Sequence, residues 1–398
     1  MSMTGALESE VSAFPSFAEE LRDRSDDDLL ALFAARPDLI TPVPADMTAL
    51  ATRATSAPSL LRALETLNQW QFQVLEVCAA LSDPFTTKEV IALSDKSAEL
   101  VIAHLHNIAL IYRDGRGFRM PRAVRDILGN EPAGLGPHAA TPIDLSVIKK
   151  APAAAQEILA KLTWGPPRGQ VGDIRKKGTP IHWLLENQLL IPIDTSTVAL
   201  PREVGIFLRD NRIHKELLPV EPTLEGPQVK KVDIERASLA SISNTLRWVQ
   251  ELLNFWSEET PTSLQSGGLG VRDLKKASEH LGVDEPCTAF IAELAYLSGI
   301  LSVEADGRIL PSTLFDLWQN KEPEEQWREL VSLWKVTSRV AGLVGRTDSR
   351  HITALGTELD RSNAALIRTL VLKLLFENPG IAPTVESVQK AVLWRYPH

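Results

Sequence analysis

Five arginines within a short stretch offer the first usable chemistry in this sequence. Arg113, Arg116, Arg119, Arg122 and Arg125 stand against the single acid Asp114, a net of +4 over residues 113 to 125. A guanidinium presents a planar fork of donors that matches two phosphate oxygens, so such a cluster suits the backbone of a nucleic acid. The alternative is a solvated hairpin whose arginines pair with Asp114 and Asp126. A second basic group, Lys161, Arg168, Arg175, Lys176 and Lys177, precedes a helix that carries His182. It too suits phosphate, and its alternative is a solvated turn. Trp318 and Trp327 stand at a charged, acidic linker and have the bulk to anchor a protein partner.

Catalytic constellations are missing. The pattern G-x-x-x-x-G-K-[ST], whose backbone and lysine cradle nucleotide phosphates, is absent. Gly267-Gly268-Leu269-Gly270 lacks the Lys-Ser or Lys-Thr pair and reads as a flexible helix connection. His104 and His106 lie two apart on a helix and point in different directions, whereas two helical metal ligands want i and i+4. Asp284-Glu285-Pro286-Cys287 opens a helix, where acids oppose the positive end of the backbone dipole. Neither a Ser-His-Asp nor a Cys-His arrangement has a supporting local motif. The expectation is a non-enzymatic chain with no metal and no cofactor.

Composition narrows the setting. The chain has 398 residues, with 42 Lys and Arg against 51 Asp and Glu, a net of −9. An acidic whole repels a polyanion at long range, so any nucleic-acid contact must be local. Residues 1 to 60 hold ten acids and four bases, which concentrates the acidity at the front. Cys78 and Cys287 sit far apart in apolar helical contexts, which argues against a disulfide framework and for a reducing compartment. No basic leader and no run near the ~18 apolar residues of a spanning helix is present, so the expected location is cytoplasmic.

Hydrophobic spacing predicts the elements that position the basic residues. Residues 1–15 read as a disordered tail and 16–63 as a helical N-terminal cap. Over 64–130, helical spacing runs through Trp70, Val74, Leu75, Cys78 and Leu81. Thr86 with Glu89 makes a capping box, and a third helix carries Leu100, Val101, Leu105 and Ile108. Leu110 to Tyr112 and Phe118 to Met120 then flank the turn Asp114-Gly115-Arg116 as a hairpin. Three helices and a two-stranded ribbon read as a winged helix-turn-helix. The same grammar recurs over 145–212 and, past a linker at 213–238, over 239–320. Met120-Pro121-Arg122, Leu200-Pro201-Arg202 and Leu310-Pro311-Ser312 close the copies, each leading into a short apolar helix, a place that suits proline. Residues 321–398 read as a helical segment that begins a further domain of a longer protein. The expected fold is therefore mainly α with small β-hairpins: tandem winged helix-turn-helix repeats behind a helical cap.

A family resemblance rests on particular residues. The turn Trp164-Gly165-Pro166-Pro167, the helix at Trp183-Leu184-Leu185, the exit Leu200-Pro201-Arg202-Glu203-Val204-Gly205, and Asp28-Leu29-Leu30 through Arg36-Pro37-Asp38-Leu39 resemble helicase-associated proteins of actinobacteria. The later half of those proteins is similar to the N-terminal region of XPB-type DNA repair helicases. The likeness runs over roughly residues 17 to 320 and brings no catalytic residues. It implies a DNA repair or transcription setting and an XPB-type helicase as partner.

Base-edge readout wants Arg, Lys, Asn or Gln on an exposed helix face. The first recognition position offers Glu99, His106 and Asn107, and the third offers Glu285, Thr288 and Glu293. Only the second, with His182, Asn187 and Gln188 behind a basic turn, is usable. Backbone contact with duplex or single-stranded DNA is thus expected over sequence reading. The rival expectation is a winged-helix scaffold that binds proteins without touching DNA. Trp70, Trp183, Trp248 and Trp256 read as core.

Overall fold

A computed structural model describes residues 15–172, 174–345 and 351–397; the expected tail at 1–15 lies outside them except for Pro15. The chain is mainly helical, with small antiparallel sheets. It divides into two compact units, Met1–Pro222 with Leu393–His398, and Thr223–Val392.

In the first unit, α1 (Phe17–Asp23), α2 (Asp26–Ala35), α3 (Met47–Ala54) and α4 (Ala57–Glu65) form the N-terminal part. Ser16 caps α1 in a reciprocal box with Glu19, and Ser25 caps α2 ahead of three first-turn aspartates. Leu21, Leu32, Leu39, Leu50 and Ala54 pack beneath them. Arg36 is buried there, donating to the carbonyls of Ile108 and Ala54 and to Ser59.

A second core follows under α5 (Gln69–Ala80), α6 (Thr87–Leu93) and α7 (Ala98–Asn107), with the hairpin β1 (Tyr112–Asp114) and β2 (Gly117–Arg119) and then α8 (Arg122–Leu128). The expected Thr86/Glu89 box is present. Gly115 turns the hairpin at φ 58°, a left-handed conformation that favours glycine. Phe85, between α5 and α6, exchanges two backbone hydrogen bonds with Phe118 of β2, at 2.9 and 2.7 Å.

The third core lies under α9 (Ala153–Thr163), β3 (Arg168–Gln170), α10 (Pro180–Glu186), β4 (Ile191–Pro192), β5 (Thr197–Ala199) and α11 (Arg202–Leu208). Where the sequence suggests a solvated turn, Arg168 to Gln170 instead join β5, giving the order β3-β5-β4. Alternation does not announce so short a strand, because its middle residue is Gly169.

The expected linker at 213–238 is structured at both ends. Ile213 is buried in the second core, and Gln73 of α5 holds the next residues by donating to the Glu216 carbonyl and accepting from the Leu218 amide. In the second unit its last eight residues begin α12 (Lys231–Glu258). The Pro-rich composition masked this start, which lies past the last proline of the stretch.

The second unit continues with α13 (Val271–Leu281), α14 (Glu285–Leu297), the hairpin β6 (Leu301–Val303) and β7 (Ile309–Pro311), α15 (Thr313–Gln319) and α16 (Pro323–Val336). α17 (Ala364–Glu377) follows, and α18 (Val385–Arg395) ends the described helices. Trp256 and Trp318 are fully buried in its main core. Thr262, between α12 and α13, bridges Arg308 just before β7.

Three chain reversals match. Ala109, Gln188 and Gly299 each lie two residues past a helix, at φ 60°, 56° and 73°, and each feeds an apolar pair into a hairpin. At the first two, an amide reaches five residues back, Leu110 to Leu105 and Leu189 to Leu184, which satisfies helix-end carbonyls. The proline exits match less closely. Pro121 and Pro201 are the N-caps of α8 and α11, whereas Pro311 is the last residue of β7 and Ser312 caps α15.

Candidate nucleic-acid interface

The arginines of the first hairpin separate into two groups. Arg125 is turned inward: it donates to the carbonyls of Ala79 and Leu81 and to Asp83, at 2.6, 3.1 and 2.7 Å. Its charge there meets the unsatisfied carbonyls at the end of α5. Arg119 donates to Asp114 at 2.6 Å, with that carboxylate largely buried. These two residues are therefore corrected from phosphate contacts to packing residues. Arg113 lies over the Phe118 ring and lines a cleft of about 300 Å³ with Arg24 and His106 beside Glu20, Asp23 and Asp28. Arg116, on the turn, is exposed, and Arg122 is nearly fully exposed with only Asp126 at 3.8 Å.

In the third core the second basic group is mostly solvent-facing. Lys161, on the last turn of α9, and Lys176 and Lys177, ahead of α10, are exposed and have no ion-pair partner among the described residues. Arg175 is exposed beside them. Arg168 is bound to Glu131, and His182 lies 3.3 Å from Glu186 on its own helix. Residues 145 to 212 hold ten Lys and Arg against six Asp and Glu, a net of +4 within a chain of −9.

The third recognition position is covered in part: Glu285 is exposed, but Thr288 and Glu293 on α14 are buried, Glu293 at 2% exposure. Glu293 accepts two hydrogen bonds from Arg339 at 2.6 and 3.0 Å and one from the Leu355 amide at 2.6 Å. Burial disfavours the Arg339 charge, yet that carboxylate holds its pKa above the ordinary value.

Trp318 is corrected as well: it is 2% exposed, so it fills core instead of anchoring a partner, and its Nε1 has no hydrogen-bond partner among the described residues. Trp327 packs half-buried against the same core. An apolar groove of about 550 Å³ runs alongside, lined by Ile300, Leu314, Leu317 and Leu333.

Buried arginines went unremarked in the sequence. Arg202 donates to the carbonyls of Gly136, Ala79 and Ala80. Arg209 donates to those of Thr163, Ala133, Ile213 and Gly134. Burial lowers the pKa of both. The available signal was an arginine at either end of the apolar run Val204 to Leu208. Among the described residues no cluster of His, Cys, Asp or Glu could hold a metal ion, and no helix is long and apolar enough to cross a membrane.

No family model matches the chain, and no solved structure matches it. Among curated proteins, the ATP-dependent permease PDR11 of Saccharomyces cerevisiae is 35% identical over 112 residues, which is 28% of this chain and 7% of the permease.

Proposed function

We propose that this chain is a non-enzymatic scaffold of three winged-helix units that holds a nucleic-acid backbone and works beside a DNA repair or transcription helicase of XPB type. The winged-helix reading is supported by a recurring pairing: Phe85 with Phe118 and β3 with β5 each place a residue from between the first two helical positions against the second ribbon strand, and Thr262 meets Arg308 at the entry to that strand. The three left-handed residues ahead of the ribbons support it independently. The second copy departs from the pattern in having no helix between β3 and α10 among the described residues.

One observation carries the nucleic-acid reading: Lys161, Lys176 and Lys177 stand exposed, with no ion-pair partner among the described residues, in a basic segment of an acidic chain. Solvent-facing lysines suit phosphates and give salt-dependent binding without sequence preference. Arg175, Arg116 and Arg122 extend the set. The helicase setting rests on the family resemblance alone. Fluorescence anisotropy with duplex and single-stranded DNA at low salt tests the reading, which is lost if neutralising Lys161, Lys176 and Lys177 leaves binding unchanged.

The rival reading, a protein-docking scaffold, is favoured by the second unit. There the third recognition position is covered in part, and Leu314, Leu317 and Leu333 line an open apolar groove. A partner complex that survives nuclease treatment, from a chain without DNA affinity, would select it.

A further inference from the structure

Trp164 is 43% exposed although Arg209 covers one face of its ring, with the guanidinium carbon 4.6 Å from the ring centroid. Much of the indole is thus left to solvent even with that cation against it. The ring is also held firmly. Arg209 is buried and tied to four carbonyls, so the cation beneath the indole cannot swing away. Gly165 brings the chain so close to the end of α9 that a Cβ there would stand 2.6 Å from the Lys161 carbonyl, and only glycine permits that approach. An indole held by its neighbours and still 43% exposed is not used up by packing.

Its surroundings are cationic. Lys161 lies on the last turn of α9 and Trp164 is the residue that caps its C-terminus, three positions further along the chain. Lys161 is exposed and has no ion-pair partner among the described residues. Proteins that hold single strands combine such parts: an aromatic face for a base, which every base can stack on, and a nearby cation for the backbone. In a duplex the bases are already stacked and cannot reach the ring.

We propose that Trp164 is a stacking platform for an unpaired base of single-stranded nucleic acid, with the Lys161 ammonium taking the adjoining phosphate. This rests on the nucleic-acid reading above and adds the strand type and the contact. The local net charge of +4 over 145 to 212 favours a polyanion over an apolar protein surface as the occupant.

The test uses the full chain and three probes: an oligothymidylate, the same strand made of abasic residues, and a duplex. Wild type should bind the oligothymidylate about tenfold or more tightly than the abasic strand, the range that one base–aromatic stack supplies. Trp164→Ala should lower oligothymidylate affinity to the abasic level and leave duplex affinity unchanged, while Trp164→Phe keeps most of the preference. Trp164→Leu, which retains an apolar cover over Arg209 but has no π face, gives the same answer if the alanine variant does not fold. Lys161→Gln should weaken both single strands and flatten the salt dependence. A wild type that binds with no preference for bases, or a preference that survives in Trp164→Leu, overturns this proposal alone. A wild type that binds none of the probes overturns it together with the reading on which it rests.

Discussion

Arg125 and Arg202, carried by α8 and α11, converge on one carbonyl, that of Ala79 at the end of α5. Arg202 reaches Ala80 as well, and its Nη1 lies 2.9 Å from His138 Nε2. A guanidinium can only donate, so in this contact the histidine nitrogen is the acceptor. Its other nitrogen, Nδ1, lies 2.9 Å from the Glu203 carboxylate. The end of α5, where helix carbonyls lack partners, is thus closed by two cations from later elements, and the second core and the third are joined through it.

Replacing Arg202 by Met should destabilise the first unit by about 3 kcal/mol, because the carbonyls of Gly136 and Ala80 lose a charged donor while staying buried. Arg202→Lys should recover little, since one ammonium cannot span both directions of the fork. Arg125→Met alone should cost less, as Arg202 still serves Ala79. The double variant should exceed the sum by about 1 kcal/mol, measured by urea unfolding. Strict additivity would show that the two arginines act separately.

The arginines of the first hairpin should sort by experiment as they sort by geometry. Neutralising Arg116 and Arg122 should reduce the slope of log affinity against log salt by about one for each phosphate left without its cation, with the melting temperature unchanged. Arg119→Gln and Arg125→Gln should do the reverse. Anisotropy titrations over a salt series, beside thermal melts, separate the two. Equal slope changes from all four would contradict the inward placement of Arg119 and Arg125.

Acid should loosen the N-terminal part through Glu20. Burial opposes its charge, but the hydrogen bond from His106, at 2.6 Å, and the charge of Arg24 hold the carboxyl below its ordinary range. Its folded pKa is depressed, so the stability it contributes is present above the unfolded value near 4.5 and is lost as pH falls through the folded one. Glu20→Gln should therefore be less stable at neutral pH and show a shallower fall between about pH 5 and pH 3. Parallel stability curves for the two proteins would refute the assignment.

How much of this was legible follows from which signals are local. Capping boxes such as Thr86 with Glu89, and the turn at Gly115, depend on neighbours in sequence and were readable. The fate of Arg125 was not, because its partners Ala79, Leu81 and Asp83 lie more than forty positions earlier and no spacing rule reports them. Glu293 misled for the same reason. On α14 alone it reads as solvent-facing, and only Arg339 and Leu355 reveal it as covered. Trp318 misled in the opposite sense, its acidic neighbours in sequence suggesting a surface that its packing denies. The exposure of Lys176 and Lys177 was legible because runs of charge need no tertiary explanation.

The cover over α14 should depend on the Glu293 carboxylate. Glu293→Gln keeps the volume but replaces one acceptor oxygen by a donor, so either Arg339 or the Leu355 amide is left facing an N–H. Losing one partner of a buried pair costs about 3 to 5 kcal/mol, and Arg339 retains only the Gly356 carbonyl, the Tyr296 ring and Asp360 at 3.9 Å. The loss should be felt first where the carboxylate touches backbone: exchange of the Leu355 amide hydrogen should accelerate well before amides in the middle of α12 respond. Uniform acceleration across the second unit would mean that Glu293 supports the whole core. No acceleration at Leu355 would mean that the carboxylate does not pin this segment, and the third recognition position would then be open to a ligand after all.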